Sequence, residues 1–247
     1  MFKQKGHFNI VLIITVAMLY SVFSSHGSAT PGDVVLSFAS PGPSPQDLAW
    51  DGKYLWVVDD STDRIYKLDP SDGTVLLSFA SIGSGPKGLT WDGEYLWNSD
   101  DSSHKIYKMD SAKGKEVSAL DAPVMAVKGG YSPLGGLAWD GNYLWSGWIA
   151  GWSSRMNRLN PKDGSVMSFY FTKGFPCALA SDGKFLWSAT HNGGIRLGII
   201  YKYNLSNGRY VSHFDAPGFH PTGLAFDGQW LWCVDKKTKK IYKMAVK

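Results

Sequence analysis

Two cysteines, Cys177 and Cys233, are all that this chain contains. Two residues cannot form a disulfide framework. No CxxC pair or Cys/His cluster offers a structural zinc site. Both cysteines fall in neighbouring repeats, so a single bridge and two small buried thiols are both open readings. Glutamate is almost missing: Glu94 and Glu116 are the whole supply. Long apolar runs are also missing, with one exception at residues 10–23. Removing Lys3 and Lys5 from the chain's 25 basic residues leaves 23 against 21 acidic ones, a balance that points to no nucleic-acid partner. Lys236, Lys237, Lys239 and Lys240 form one local cluster that reads as a solvated loop. No Gly-rich phosphate loop, nucleophile elbow or metalloprotease helix is present.

The exceptional run, from Ile10 to Phe23, follows Lys3 and Lys5 and precedes the small residues Gly27, Ser28 and Ala29. That order is the pattern of a secretion signal cleaved after Ala29. At 14 residues the run is short for a spanning helix, which needs about 20. The expectation is a signal peptide over 1–29 and a mature chain from Thr30, secreted or periplasmic, free of the membrane once cleaved, and a monomer.

What the chain has in plenty is repetition. Trp56, Trp97, Trp145, Trp187 and Trp232 each follow a Leu and lie shortly after Asp51-Gly52, Asp92-Gly93, Asp140-Gly141, Asp182-Gly183 and Asp227-Gly228. A period in the forties with four strand-like segments predicts a β-propeller. In the first repeat the strands are expected at 47–50, 54–58, 64–68 and 74–79, separated by turns at Asp51-Gly52 and at 69–73. Repeats begin near 45, 86, 133, 176 and 221, and the last one stops at Lys247 without its fourth strand. The segment 33–38 reads like 74–79 and has no inner strands of its own. The prediction is therefore an all-β, five-bladed propeller over 30–247, with four-stranded blades and with the N-terminal strand completing the C-terminal blade.

The strings Gly88-Leu89-Thr90-Trp91-Asp92-Gly93-Glu94-Tyr95-Leu96-Trp97 and Arg64-Ile65-Tyr66-Lys67-Leu68-Asp69-Pro70 resemble repeats of secreted NHL-like propellers and of propeller-type glutaminyl-peptide cyclotransferases. The resemblance covers nearly all of the mature chain. It implies five blades and, for the cyclotransferases, conversion of N-terminal Gln to pyroglutamate with a carboxylate as proton shuttle near aromatic residues. Glu94 is expected in an Asp-Gly turn and Glu116 in an outer strand, away from a central site.

Departures from the repeat locate a candidate site. Alternating strands place the short turns on one face, and the blade crossings and loops between second and third strands on the other. The crossing from Leu120 to Pro133 spans 13 residues, against 7 from Phe79 to Pro86, and carries Lys128 and Tyr131. The loop after Thr190 carries His191 and Arg196. Of the 11 Trp, only Trp148 and Trp152 fall outside the repeat, in one loop beside Arg155. Two readings stand together: these Trp pack beneath neighbouring loops, or they form an aromatic platform for a saccharide, a peptide or a protein with Lys128, Tyr131, Arg155, His191 and Arg196 as partners. The leading expectation is a binding protein using the loop face of blades 2–4, with catalysis an open question. Alternatives are a cyclotransferase-like enzyme or lyase on that face, with His191, Asp100 and Asp101 as acid or base, and a structural surface protein. The acidic loops at Asp59-Asp60, Asp100-Asp101 and Asp235 are expected to cap turns; calcium is their weaker reading, and no other cofactor is expected.

Overall fold

A computed structural model describes residues 29–123, 126–127, 130–131, 134–149, 154–191, 193 and 195–247. The proposed signal at 1–29 lies outside them except for Ala29. Trp152, the side chain of Tyr131, and Lys128 lie outside them as well.

The described chain is all β, and its large sheets are five blades of four antiparallel strands. Blade 1 comprises β2 (Pro45–Trp50), β3 (Leu55–Asp59), β4 (Arg64–Leu68) and β5 (Val75–Ala80). Blade 2 comprises β6 (Pro86–Trp91), β7 (Leu96–Asp100), β8 (Lys105–Met109) and β9 (Glu116–Asp121). A two-stranded hairpin, β10 (Ala126–Val127) with β11 (Gly130–Tyr131), occupies the long crossing. Blade 3 comprises β12 (Leu134–Trp139), β13 (Leu144–Trp148), β14 (Arg155–Leu159) and β15 (Val166–Phe171). Blade 4 comprises β16 (Ala178–Ser181), β17 (Phe185–Thr190), β18 (Ile199–Asn204) and β19 (Tyr210–Asp215). Blade 5 comprises β20 (Pro221–Phe226), β21 (Leu231–Asp235), β22 (Lys240–Met244) and, from the N-terminus, β1 (Val34–Ala39).

Ring closure follows the expectation. β1 pairs antiparallel with β22, Ser37 opposite Tyr242 and Phe38 opposite Ile241. Beyond the ladder, the Gly32 and Ala245 amides donate to Ala245 and Asp33 carbonyls at 2.9 and 3.0 Å. The second and fourth strands start one residue later than the sequence suggests, because side chains hold the turns. The Asp51 carboxylate accepts the Tyr54 amide at 2.7 Å, and Asp72 accepts the Thr74 amide at 2.8 Å. Both residues therefore belong to turns. Gly52, at φ +94°, supplies the left-handed position that the first turn needs.

Each blade's Trp lies in the core, Trp56, Trp145 and Trp232 at zero exposure. In blades 1, 2, 3 and 5 its indole N–H donates to the turn aspartate five residues earlier: Trp56 to Asp51, Trp97 to Asp92, Trp145 to Asp140 and Trp232 to Asp227, at 2.7–2.9 Å. Burial raises the Asp51 and Asp92 carboxyls. The turn amides, the indole and the neighbouring Lys67 or Lys108 outweigh it and hold both below their ordinary value. The repeated Asp-Gly…Trp spacing is thus a bond between a turn and its own blade.

Both cysteines are free thiols: Cys233 is buried between blades and Cys177 lies half-buried near the axis. The acidic loops cap turns, as expected. Asp59 accepts the Ser61 and Thr62 amides with one oxygen and the Ser44 amide with the other. Asp100 and Asp235 repeat this with Ser103 and Gly85, and with Thr238 and His220. All three are fully buried, each tying a loop to the preceding blade crossing.

Candidate functional site

The five inner strands surround the axis in a shared register, set by the turn that follows each. One column holds Asp47, Gly88, Gly136, Ala178 and Gly223. Four small residues and one aspartate have a steric reason. A Cβ on Gly223 would stand 2.4 Å from the Asp47 Cα, and one on Gly136 would stand 2.6 Å from the Ala178 Cα. The strands meet too closely for five side chains, and the space near the axis takes one.

Asp47 fills it. One carboxylate oxygen accepts the Leu48 and Leu224 amides at 2.9 and 3.2 Å; the other accepts those of Leu89 and Leu137 at 2.9 and 3.0 Å. A single side chain therefore binds blades 1, 2, 3 and 5. Burial is the largest influence and pushes this carboxyl well above the usual range, while the four amides pull it back. Both oxygens are occupied by N–H donors, which is an arrangement built for the ionised form. Sequence reading passed over Asp47, although its column alone carried the signal: an ionisable residue where the other four blades have Gly or Ala.

Asp47 divides the channel. On the turn face a small recess of about 140 Å³ is ringed by Trp50, Trp91, Trp139, Ser181 and Phe226. On the loop face lies a cavity of about 220 Å³, bordered by Gln46, Lys87, Cys177, Thr222, His191 and His220, with Lys236 at its rim. Gln46, Lys87, Cys177 and Thr222 occupy one column, immediately before Asp47 and its counterparts. The column differs in every blade, whereas the leucines two positions later recur. That contrast was legible in the sequence and marks the mouth.

The Lys87 ammonium lies 3.7 Å from Asp60 and 3.5 Å from the Gln46 carbonyl oxygen. The His191 and His220 rings have centroids 3.9 Å apart. Desolvation, and for His191 the neighbouring His220, lowers its titration; desolvation also dominates for His220, assisted by Lys236 and Lys237 against Asp235. Both imidazoles are therefore neutral near pH 7. Burial pushes the Cys177 thiol up to about 11, so it is a poor nucleophile. Among the described residues no group of three His, Cys, Asp or Glu is arranged to hold a metal ion.

Of the residues singled out from the sequence, His191 borders this cavity. Trp148 was expected in a loop; instead it ends β13, paired with Leu134 and Arg155, and is 6% exposed. It occupies the position that Asp59, Asp100 and Asp235 hold in other blades. The Arg155 guanidinium lies 4.6 Å from its ring and 4.5 Å from that of Phe169, so one face of the indole is already covered. Arg196 is exposed and does not border the cavity. Asp101 accepts the Leu134 amide at 3.0 Å, and Asp100 is fully engaged as a cap. Glu94 sits in its Asp-Gly turn on the opposite face, and Glu116 is exposed on β9.

No protein-family model matches the sequence, and no curated protein matches it. Solved structures do match in fold. The glutaminyl cyclase of Myxococcus xanthus superposes with a TM-score of 0.67 at 9% identity, over 86% of this chain and 94% of that one. The Cps50 (Swd1) β-propeller domain of Myceliophteria thermophila gives 0.54 at 12% identity, over 88% of this chain and all of that one. The protein is thus a five-bladed β-propeller whose fold is similar to a glutaminyl cyclase's; at such identities the likeness is one of architecture.

Proposed function

We propose that the protein is an exported propeller that binds a small anionic ligand at the loop-face mouth of its channel. The observation that carries this reading is the make-up of the cavity: two lysines, two neutral histidines, a glutamine and a threonine border it, and among the described residues no carboxylate does. Lys236 has no ion pair among the described residues, and Lys87 shares one distant, half-exposed aspartate. Excess positive charge in a partly desolvated recess favours an anion. The apolar run after Lys3 and Lys5 supports export.

The test is calorimetric titration of the exported protein, its N-terminus checked at Thr30, with succinate, phosphate and a neutral saccharide. Lys87→Met with Lys236→Met should abolish the anion-induced shift of the His191 and His220 imidazole NMR signals, which reports the mouth alone, and leave the melting temperature nearly unchanged. Binding of the neutral sugar alone, or an anion-induced shift at the two histidines indifferent to the two lysines, would refute it.

The likeness to a glutaminyl cyclase favours a second reading, cyclisation of N-terminal Gln at this mouth. It requires a carboxylate able to move a proton. Asp60 touches two residues of the cavity border, Gln46 and Lys87, at 3.3 and 3.7 Å, and is committed to them. Incubation with an N-terminal Gln peptide, read by mass spectrometry for loss of ammonia, decides between the readings.

A further inference from the structure

The turn face holds a second concavity, between blades 3 and 4, where the repeat departs from itself. In blades 1, 2 and 5 the lysine of the third strand reaches the aspartate of the first turn: Lys67 to Asp51, Lys108 to Asp92 and Lys243 to Asp227, at 3.3–3.4 Å. Blade 3 places Arg158 at this position, and it forms no such ion pair with Asp140. Its guanidinium lies instead 3.9 Å from the centroid of the Tyr143 ring. Its Nε is buried and has no hydrogen-bond partner among the described residues. Blade 4 departs in the same way: Lys202 lies over Phe185 and Trp187, at 4.0 and 4.4 Å, without pairing with Asp182.

Between them opens a groove of about 500 Å³, bordered by Arg158, Tyr143, Asn142, Lys184, Asn204 and Asp140. Its size falls within the usual range of small-ligand sites. Asp140 keeps the turn and indole bonds of its counterparts but is not within ion-pair distance of the arginine. One of its oxygens accepts the Trp145 indole N–H at 2.7 Å; the other accepts the Asn142 and Tyr143 amides at 2.9 and 2.8 Å. Arg158 thus lines the groove without an ion-pair partner there, and its contact with the Tyr143 ring restricts the guanidinium in advance. A fork of parallel N–H groups matches a group with two coplanar oxygens, and prior fixing reduces the entropy lost on binding.

We infer that this groove binds the oxyanion group of a small molecule, a carboxylate or a phosphate, clamped by Arg158 with Lys184 and Asn142 beside it. The inference does not depend on the channel-mouth site, which lies on the opposite face.

The experiment is calorimetric titration of the folded protein with glucuronate, inorganic phosphate and uncharged glucose, repeated on Arg158→Lys. This substitution installs the residue that blades 1, 2 and 5 use, so the fold is kept and a lysine–Asp140 pair can form. The expected result is binding of glucuronate or phosphate but not glucose, weakened about tenfold or more in Arg158→Lys by loss of the bidentate contact. The anion that binds identifies the group. Lys87→Met with Lys236→Met should leave this binding intact, which separates it from the mouth site. Absence of binding by both anions, equal binding by glucose, or unchanged affinity in Arg158→Lys would overturn the inference.

Discussion

Replacing Asp47 by Asn tests whether a carboxylate holds the ring together at its axis. The substitution keeps shape and volume but turns one oxygen into an NH₂ group. That group faces two backbone N–H donors, so two of the four amides from Leu48, Leu89, Leu137 and Leu224 lose their acceptor. A buried orphan donor costs about 1–3 kcal/mol, so the loss is about 2–6 kcal/mol. Asp47→Gly, the residue of blades 2, 3 and 5 in this column, orphans all four. Its cost is about 4 kcal/mol at the low end, because water from the recesses on either side of the axis can reach the amides. Against a total stability of about 5–15 kcal/mol either loss is large. In a domain of this size Asp47→Asn should melt at least about 4–8 °C lower, and urea midpoints should fall in the order wild type, Asn, Gly. Formate, a free carboxylate, should restore part of the stability of Asp47→Gly and none of that of Asp47→Asn, whose site is full. An Asn variant as stable as the wild type would refute the reasoning: burial of the charge would then cancel everything the four amides contribute.

The turn aspartates set the acid limit. Asp51 and Asp92 titrate below 3.8 in the folded state, so their contribution is complete above that pH and is lost as pH falls through the lower folded values. Asp92→Asn should lower stability at pH 7 by about 1–3 kcal/mol and flatten the loss on acidification, measured by urea unfolding at a series of pH values. His191 and His220 shift stability in the same direction at higher pH. Their folded values lie below the ordinary 6.5, so the unfolded chain takes up protons first as pH falls through that value, and His191→Gln, read by the same titration, should show a smaller decline. With its thiol at about 11, Cys177 is ionised to only about one part in a thousand at pH 8. Labelling by a thiol-specific reagent in the native protein should therefore be far slower than in urea, and equal rates would show that the site is open.

The blades were legible because each strand carries its own local signal. The Asp-Gly pairs ask for a left-handed turn residue, and Gly52 has it at φ +94°. A Leu-Trp pair five residues later has a place to bury and an acceptor to donate to. The orphan strand at 34–39 found its partner because a blade without a fourth strand was waiting at the other end of the chain. Strand limits slipped by one residue where Asp51 and Asp72 captured Tyr54 and Thr74, a side-chain bond that patterning does not register.

The site was less legible. Loop insertions pointed to the face that carries the mouth cavity but to blades 2–4, whereas that cavity draws on residues from all five blades. Trp148 stood out in composition, yet it takes the place of a buried cap and is itself buried, under Arg155. Lys236 looked like one member of a solvated cluster. Alone, the sequence determined the number of blades, their closure and the face bearing variable loops, because these follow from local turn chemistry and a repeating hydrophobic pattern. Tertiary structure alone decided what the axis contains. Gln46, Lys87, Cys177, Thr222 and the ring around Asp47 are spread over some 180 positions of the chain, and they meet only because five strands converge at a radius that admits a single side chain.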